Sequence, residues 1–118
     1  MANPNIVNVT TIYGNTAVGA LTTSTANIVT NSSGSNNVYK LNSVTVSNYS
    51  GSSVTANVML NRSASVYYIS GNITVPAYST LVVVGKDTGI YMLEGDVLQA
   101  NVSANSTAHM LASFEQIS

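Results

Sequence analysis

Gly89 to Ser118 reads GIYMLEGDVLQANVSANSTAHMLASFEQIS, and the fold class is decided within it. Leu98, Ala100, Val102 and Ala104 alternate with Gln99, Asn101 and Ser103. Two-residue alternation marks a strand with one face in a core and one face outside it. Asn105-Ser106-Thr107 interrupts the pattern. Beyond the break, Met110, Ala112 and Phe114 share one face, while Leu111, Ser113, Glu115 and Ile117 share the other. So short a polar connection predicts that the two strands pair as an antiparallel hairpin. The second strand carries large apolar groups on both faces. A strand at a monomer's surface keeps its outer face polar, so this one is expected to lie against another layer.

The rest of the chain repeats the pattern in shorter pieces. Ile6 to Tyr13 is rich in β-branched residues and predicts a first strand, broken at Gly14-Asn15. Ala17 to Leu21 and Ala26 to Thr30 are short apolar segments, and Asn31 to Asn37 is a loop by composition. In Val38 to Ser47 the apolar phase slips at Asn42-Ser43, which predicts a β-bulge. Val54, Ala56, Val58 and Leu60 alternate cleanly, so Lys40–Ser47 and Ser53–Asn61 are expected to pair. Val66 to Ile69 ends at Ser70-Gly71-Asn72, and Ile73 to Val75 is halted by Pro76. Leu81 to Val84 is uniformly apolar, consistent with burial on both faces. No segment carries a helical period. About eight to ten strands at spacings of roughly 8–12 residues predict an all-β fold, an antiparallel, jelly-roll-like β-sandwich. It spans 1–118 as a single domain, with 1–37 as an extended arm or a region of short strands. No repeat recurs at a period of about 20–50 residues, so a solenoid or propeller is not expected.

Composition narrows function by exclusion. Charged residues are 6% of the 118, against about 25% in a typical domain, so Ser, Thr and Asn must supply the polar surface. Hydrophobic content of 45% is that of a folded protein and argues against disorder. Three basic residues, Lys40, Arg62 and Lys86, cannot neutralise a phosphate backbone, so no nucleic-acid partner is expected. The absence of cysteine removes disulfides and thiolate metal sites. MANPNIVNVTT lacks a basic region followed by an apolar core, and no apolar run approaches the ~20 residues of a membrane helix. A soluble protein made in a cytoplasm is expected, with no membrane partner. The Asn-x-Ser/Thr sequons, at Asn8, Asn72 and Asn101 among others, are what an Asn-, Ser- and Thr-rich chain produces by chance.

Chemistry-bearing residues are few. The acids are Asp87, Glu94, Asp96 and Glu115. Glu94-Gly95-Asp96 reads as a turn with both acids in solvent and Gly95 free to take positive φ. One turn offers too few oxygens for calcium, which takes about six to eight. His109 is the single histidine and has neither a cysteine nor an identifiable acid to work with, so it reads as a surface or interface residue. No enzymatic activity, metal or cofactor is expected. Seven tyrosines against one phenylalanine and no tryptophan carry the aromatic content. They suit turn packing, subunit contact or a sugar-binding groove. The residues read as an oligomer or particle interface are Leu111, Ile117, His109, Tyr67 and Tyr91.

Five segments together resemble a family of small β-rich virion proteins of tailed bacteriophages, especially marine and cyanobacterial phages. They are Thr11 to Ala17; Val38 to Val44 followed by Val46-Ser47-Asn48; Ile73 to Ala77 with Ser79 to Val83; Ile90 to Asp96; and Ser113 to Ser118, where Phe114-Glu115 matches an aromatic-Glu pair common near the family's C-terminus. The resemblance covers nearly the whole chain and brings no catalytic residue with it. It implies a virion structural protein with the major capsid protein or another virion protein as partner. A capsid decoration (cement) protein, trimeric at lattice three-fold positions, is the first expectation. A tail, neck or fibre component is the second, and a carbohydrate-binding host-attachment module is the third.

Overall fold

The computed structural model describes residues 11–85, 87 and 89–118. Ile6 to Thr10 of the expected first strand, and Lys86, lie outside the described residues. Nine strands form: β1 (Ile12–Leu21), β2 (Ala26–Thr30), β3 (Val38–Asn48), β4 (Val54–Arg62), β5 (Ser65–Val75), β6 (Thr80–Val84), β7 (Ile90–Met92), β8 (Val97–Val102) and β9 (Ala108–Ile117). They make two antiparallel sheets packed as a β-sandwich. One sheet runs β1-β9-β3-β6, with β7 also on β3, and the other runs β2-β8-β4-β5.

The ladders β1·β9, β2·β8, β3·β6 with β3·β7, and β4·β5 nest inside one another. The chain is thus one long two-stranded ribbon closed between β4 and β5. Rolling it up adds the ladders β3·β9 and β4·β8. Two local expectations are overturned by this winding. β8 and β9 do not pair; they lie in different sheets, and β9 sits between β1 and β3. Likewise β3 and β4 are in opposite sheets, and β4 pairs with β5 and β8. A short polar connector can close a hairpin, but it can equally cross the edge of a sandwich. With the strands crossed, the inner-face residues Leu98, Ala100, Met110 and Ala112 are all fully buried.

Alternation does its expected work at the core. Leu41, Val44, Val46, Ala56, Val58, Leu98, Ala100, Met110 and Ala112 are all fully buried between the sheets. Each such Val, Leu or Met contributes about 1.5–3 kcal/mol by leaving water. In β3 the register shifts between Leu41 and Ser43 against β9, which keeps Leu41 and Val44 both inward. That is the bulge the phase slip called for. Other boundaries differ. Gly14 and Asn15 do not break β1, because all ten residues from Ile12 to Leu21 are held in register by β9. Ser70-Gly71-Asn72 does not end a strand; β5 continues through it to Val75, with irregular register against β4 and a positive φ of 51° at Asn72. Residues 11–37 supply β1, β2 and a loop, and both strands are laddered into the sheets. Leu81–Val84 is not buried on both faces: β6 lies at a sheet edge and Val82 is 61% exposed.

Buried asparagines close the two ends of the sandwich. At one end Asn31, 0% exposed, donates from Nδ2 to the carbonyls of Asn37 and Met92 and accepts from Ser35 Oγ. At the other, Asn48 donates from Nδ2 to the carbonyls of Ser52, Val75 and Pro76, and accepts from the Ser50 N–H and hydroxyl. Short polar side chains here replace the backbone partners that loops lack. Among the described residues, no buried side-chain nitrogen or oxygen is left without a partner.

Candidate functional site

Register decides what the outer face of the β1-β9-β3-β6 sheet presents. Val18 of β1 lies opposite Leu111 of β9, Leu111 opposite Thr45 of β3, and Thr45 opposite Val82 of β6. This row crosses four strands on the side away from the core. Val18 is 72% exposed, Val82 61% and Leu111 41%, so three large aliphatic side chains stand in water along one line. Scattered exposed apolar residues need no explanation, but three exposed aliphatic side chains in one four-residue row across a sheet do.

The neighbouring row is Ala20, His109, Ser47 and Thr80. Tyr49, just past the end of β3, stacks on His109 with ring centroids 4.5 Å apart and 28° between planes. Val18, Gly19, Ala20, His109 and Leu111 together line an open concavity of about 420 Å³. On the other side of the apolar row come Thr16 and Ser113, whose hydroxyls are 3.2 Å apart. Beyond them Lys40 lies opposite Glu115 and Tyr91, the first charged pair met along these ladders among the described residues.

The outer face of the second sheet is built differently. Asn57 donates to Asn101 Oδ1 at 2.9 Å, and Asn101 donates to Thr25 Oγ1 at 2.9 Å. Gln99 donates to Asn27 Oδ1 at 2.8 Å. The Asn72 N–H donates to Asn57 Oδ1 at 2.8 Å. These amides bond one another across β2, β8 and β4, while the β5 edge of the same sheet carries exposed Val66, Tyr67, Tyr68 and Ile73. The low charge of the chain is thus met in two ways, by a cross-strand amide ladder on one face and by an apolar row on the other.

Of the five residues expected at an interface, Leu111 and His109 lie in the candidate surface. Tyr91, 42% exposed, sits on the same sheet beside Lys40. Ile117 shares the outer phase of β9 but is 5% exposed, between Ile12 and Val38 in the ladders, and so is already covered. Tyr67 is 59% exposed but belongs to β5, at the far edge of the other sheet, and is not brought near the rest. Val18, Val82 and Tyr49 were not singled out by the sequence reading. No local signal marks Val82, because a uniformly apolar run such as Leu81–Val84 reads as buried on both faces.

The acid-bearing turn corrects a second expectation. Gly95 does take positive φ, at 88°, and Glu94 accepts from the Asn36 N–H at 2.6 Å. Asp96, however, is not in solvent: it is 1% exposed. Its carboxylate accepts from Arg62 Nε at 2.9 Å, from Arg62 Nη2 and from the Leu93 N–H at 2.8 Å. The bidentate hydrogen bond that Arg62 donates to Asp96 raises the Arg62 pKa above its already high ordinary value, opposed by partial burial. Arg62 anchors an otherwise buried carboxylate, and Glu94 and Asp96 are committed to different partners. Among the described residues no three His, Asp or Glu side chains converge on one point. Millimolar calcium or a chelator is therefore expected to leave the melting temperature unchanged within about 1 °C, read by differential scanning fluorimetry; a calcium-dependent rise of several degrees would implicate Glu94.

No protein-family model matches this chain, and no curated protein matches it.

Proposed function

We propose that this protein is a non-enzymatic structural subunit of a bacteriophage particle, of the capsid decoration (cement) type, localised to the virion. The carrying observation is a row of exposed aliphatic side chains on one sheet and a cross-strand amide ladder on the other, with almost no charge. Charge depletion is a property of the buried centres of protein interfaces. The nested ribbon of ladders supports reading the sandwich as a jelly roll, an architecture found in viral shell proteins. The resemblance supplies the phage setting, the major capsid protein as partner and a trimer as the expected count. A tail, neck or fibre position is the second reading within that setting.

A glycan-binding module is less well supported. Tyr67 and Tyr68 are strongly exposed, but as successive strand residues they point to opposite sides and make no shared platform. Electron cryo-microscopy of the phage particle tests the proposal: the chain should appear as an ordered copy on the head lattice. Purified protein should also bind empty capsids and raise their disruption temperature. Absence from purified particles, or glycan binding with no capsid binding, would sink it.

A further inference from the structure

We infer that the outer face of the β1-β9-β3-β6 sheet is a contact between two copies of this chain, packed face to face. This puts a dimer at this face in place of the trimer that the resemblance implies, and it stands or falls separately from the virion role proposed above. The centre of the face is the row Val18, Leu111, Thr45 and Val82, which carries no ionisable group. Two identical uncharged rows can meet without stranding a charge, whereas a basic or acidic partner would find no ionisable group in this row, and the opposed Lys40 and Glu115 at one end of the face. The net charge of -1 adds no meaningful repulsion between copies.

Size points the same way. β1 and β9 are ten residues each, about 33 Å long at 3.3 Å per residue, and four strands span roughly 19 Å. One face is thus about 600 Å², and a face-to-face pair would bury roughly 1,200 Å² in total, the lower bound of a specific interface. Sheets stack at about 10 Å with their side chains interdigitated, and the concavity beside Val18 and Leu111 offers room for the partner's projecting side chains. Three flat faces turned towards one axis would instead enclose an open prism, with each pairwise contact too small. The contact is therefore isologous, and the dimer is its unit.

Sedimentation equilibrium of the full chain should give a dimer in the micromolar range. Leu111→Asp and Val18→Asp place a carboxylate in the contact and should weaken dimerisation by about 100-fold or more. Thr74→Asp, on the exposed outer side of the other sheet, should leave it unchanged. All three positions face water in the monomer, and an unchanged far-ultraviolet circular dichroism spectrum confirms folding. The chain has no cysteine, so Thr45→Cys supplies a single thiol near the centre of the face. A short bismaleimide should link it into covalent dimers, and Thr74→Cys should remain uncrosslinked. A wild-type monomer up to millimolar concentration, a trimer, or a dimer that survives Leu111→Asp would overturn the inference. A monomer or trimer that still binds empty capsids would leave the proposed function standing; a dimer found on no particle would do the reverse.

Discussion

Asn48→Ala should destabilise the protein by about 3–5 kcal/mol, the largest effect expected from any single polar substitution. Asn48 is 1% exposed, and its amide joins the β3–β4 turn to the end of β5 and the start of the β5–β6 connection. Alanine removes the donor from the carbonyls of Ser52, Val75 and Pro76 and the acceptor from Ser50. Each buried group left without a partner costs about 1–3 kcal/mol, and water can re-enter to relieve some of them. For a domain of this size the melting temperature should fall by roughly 15 °C. Asn48→Asp is a sharper probe, because it keeps the shape but sets a carboxylate against three carbonyl oxygens. The site disfavours the charged form, so the folded-state pKa of that carboxyl is raised above its unfolded value. The variant's stability should then be recovered as pH falls through the folded pKa and lost as pH rises through it. Thermal melts across pH 4–8 read both effects. A loss of less than about 1 kcal/mol for the alanine variant would show that the loops hold without the amide.

Asp96→Ala is the second large effect, at about 2–3 kcal/mol. The buried carboxylate holds the Leu93 N–H and both faces of a bidentate contact with Arg62. Breaking a fully buried pair costs about 3–5 kcal/mol, but the Arg62 side chain is 43% exposed, so water solvates the freed guanidinium and lowers the cost. Asp96→Asn keeps one acceptor oxygen and should lose about half as much. A double-mutant cycle with Arg62→Met isolates the pair, with an expected coupling of about 1–2 kcal/mol. Zero coupling would mean that Asp96 acts through Leu93 and the turn alone, and that Arg62 is a surface charge.

The effects differ in kind from the face substitutions. Asn48 and Asp96 act inside one chain and should be independent of protein concentration. Leu111 and Val18 act between chains, so their consequences should appear in association and not in the melting of the isolated monomer. Measuring both sets at two concentrations a hundredfold apart separates fold from assembly.

Local residue order determined the class of this fold. Alternation in Leu98–Val102 and Val54–Leu60 assigns strand and inner face without reference to any partner, because side chains on a strand point alternately to its two sides. The bulge at Asn42-Ser43 was legible for the same reason: a slipped phase needs an extra residue to keep Leu41 and Val44 on one side. Leu111 and His109 were legible as outward-facing. Strand partners were not, since pairing is a choice among distant segments with similar apolar faces. Only the rolled ribbon sends β8 and β9 to different sheets, carries Ile117 under cover and turns Val82 outward. It also brings Arg62 to Asp96, 34 residues along the chain, which makes a buried anchor of an acid whose local sequence is that of an exposed turn. The row exists in no single segment: Val18, Leu111 and Val82 come from three strands distant in sequence, and the tertiary register alone sets them in one line, with Thr45 between Leu111 and Val82.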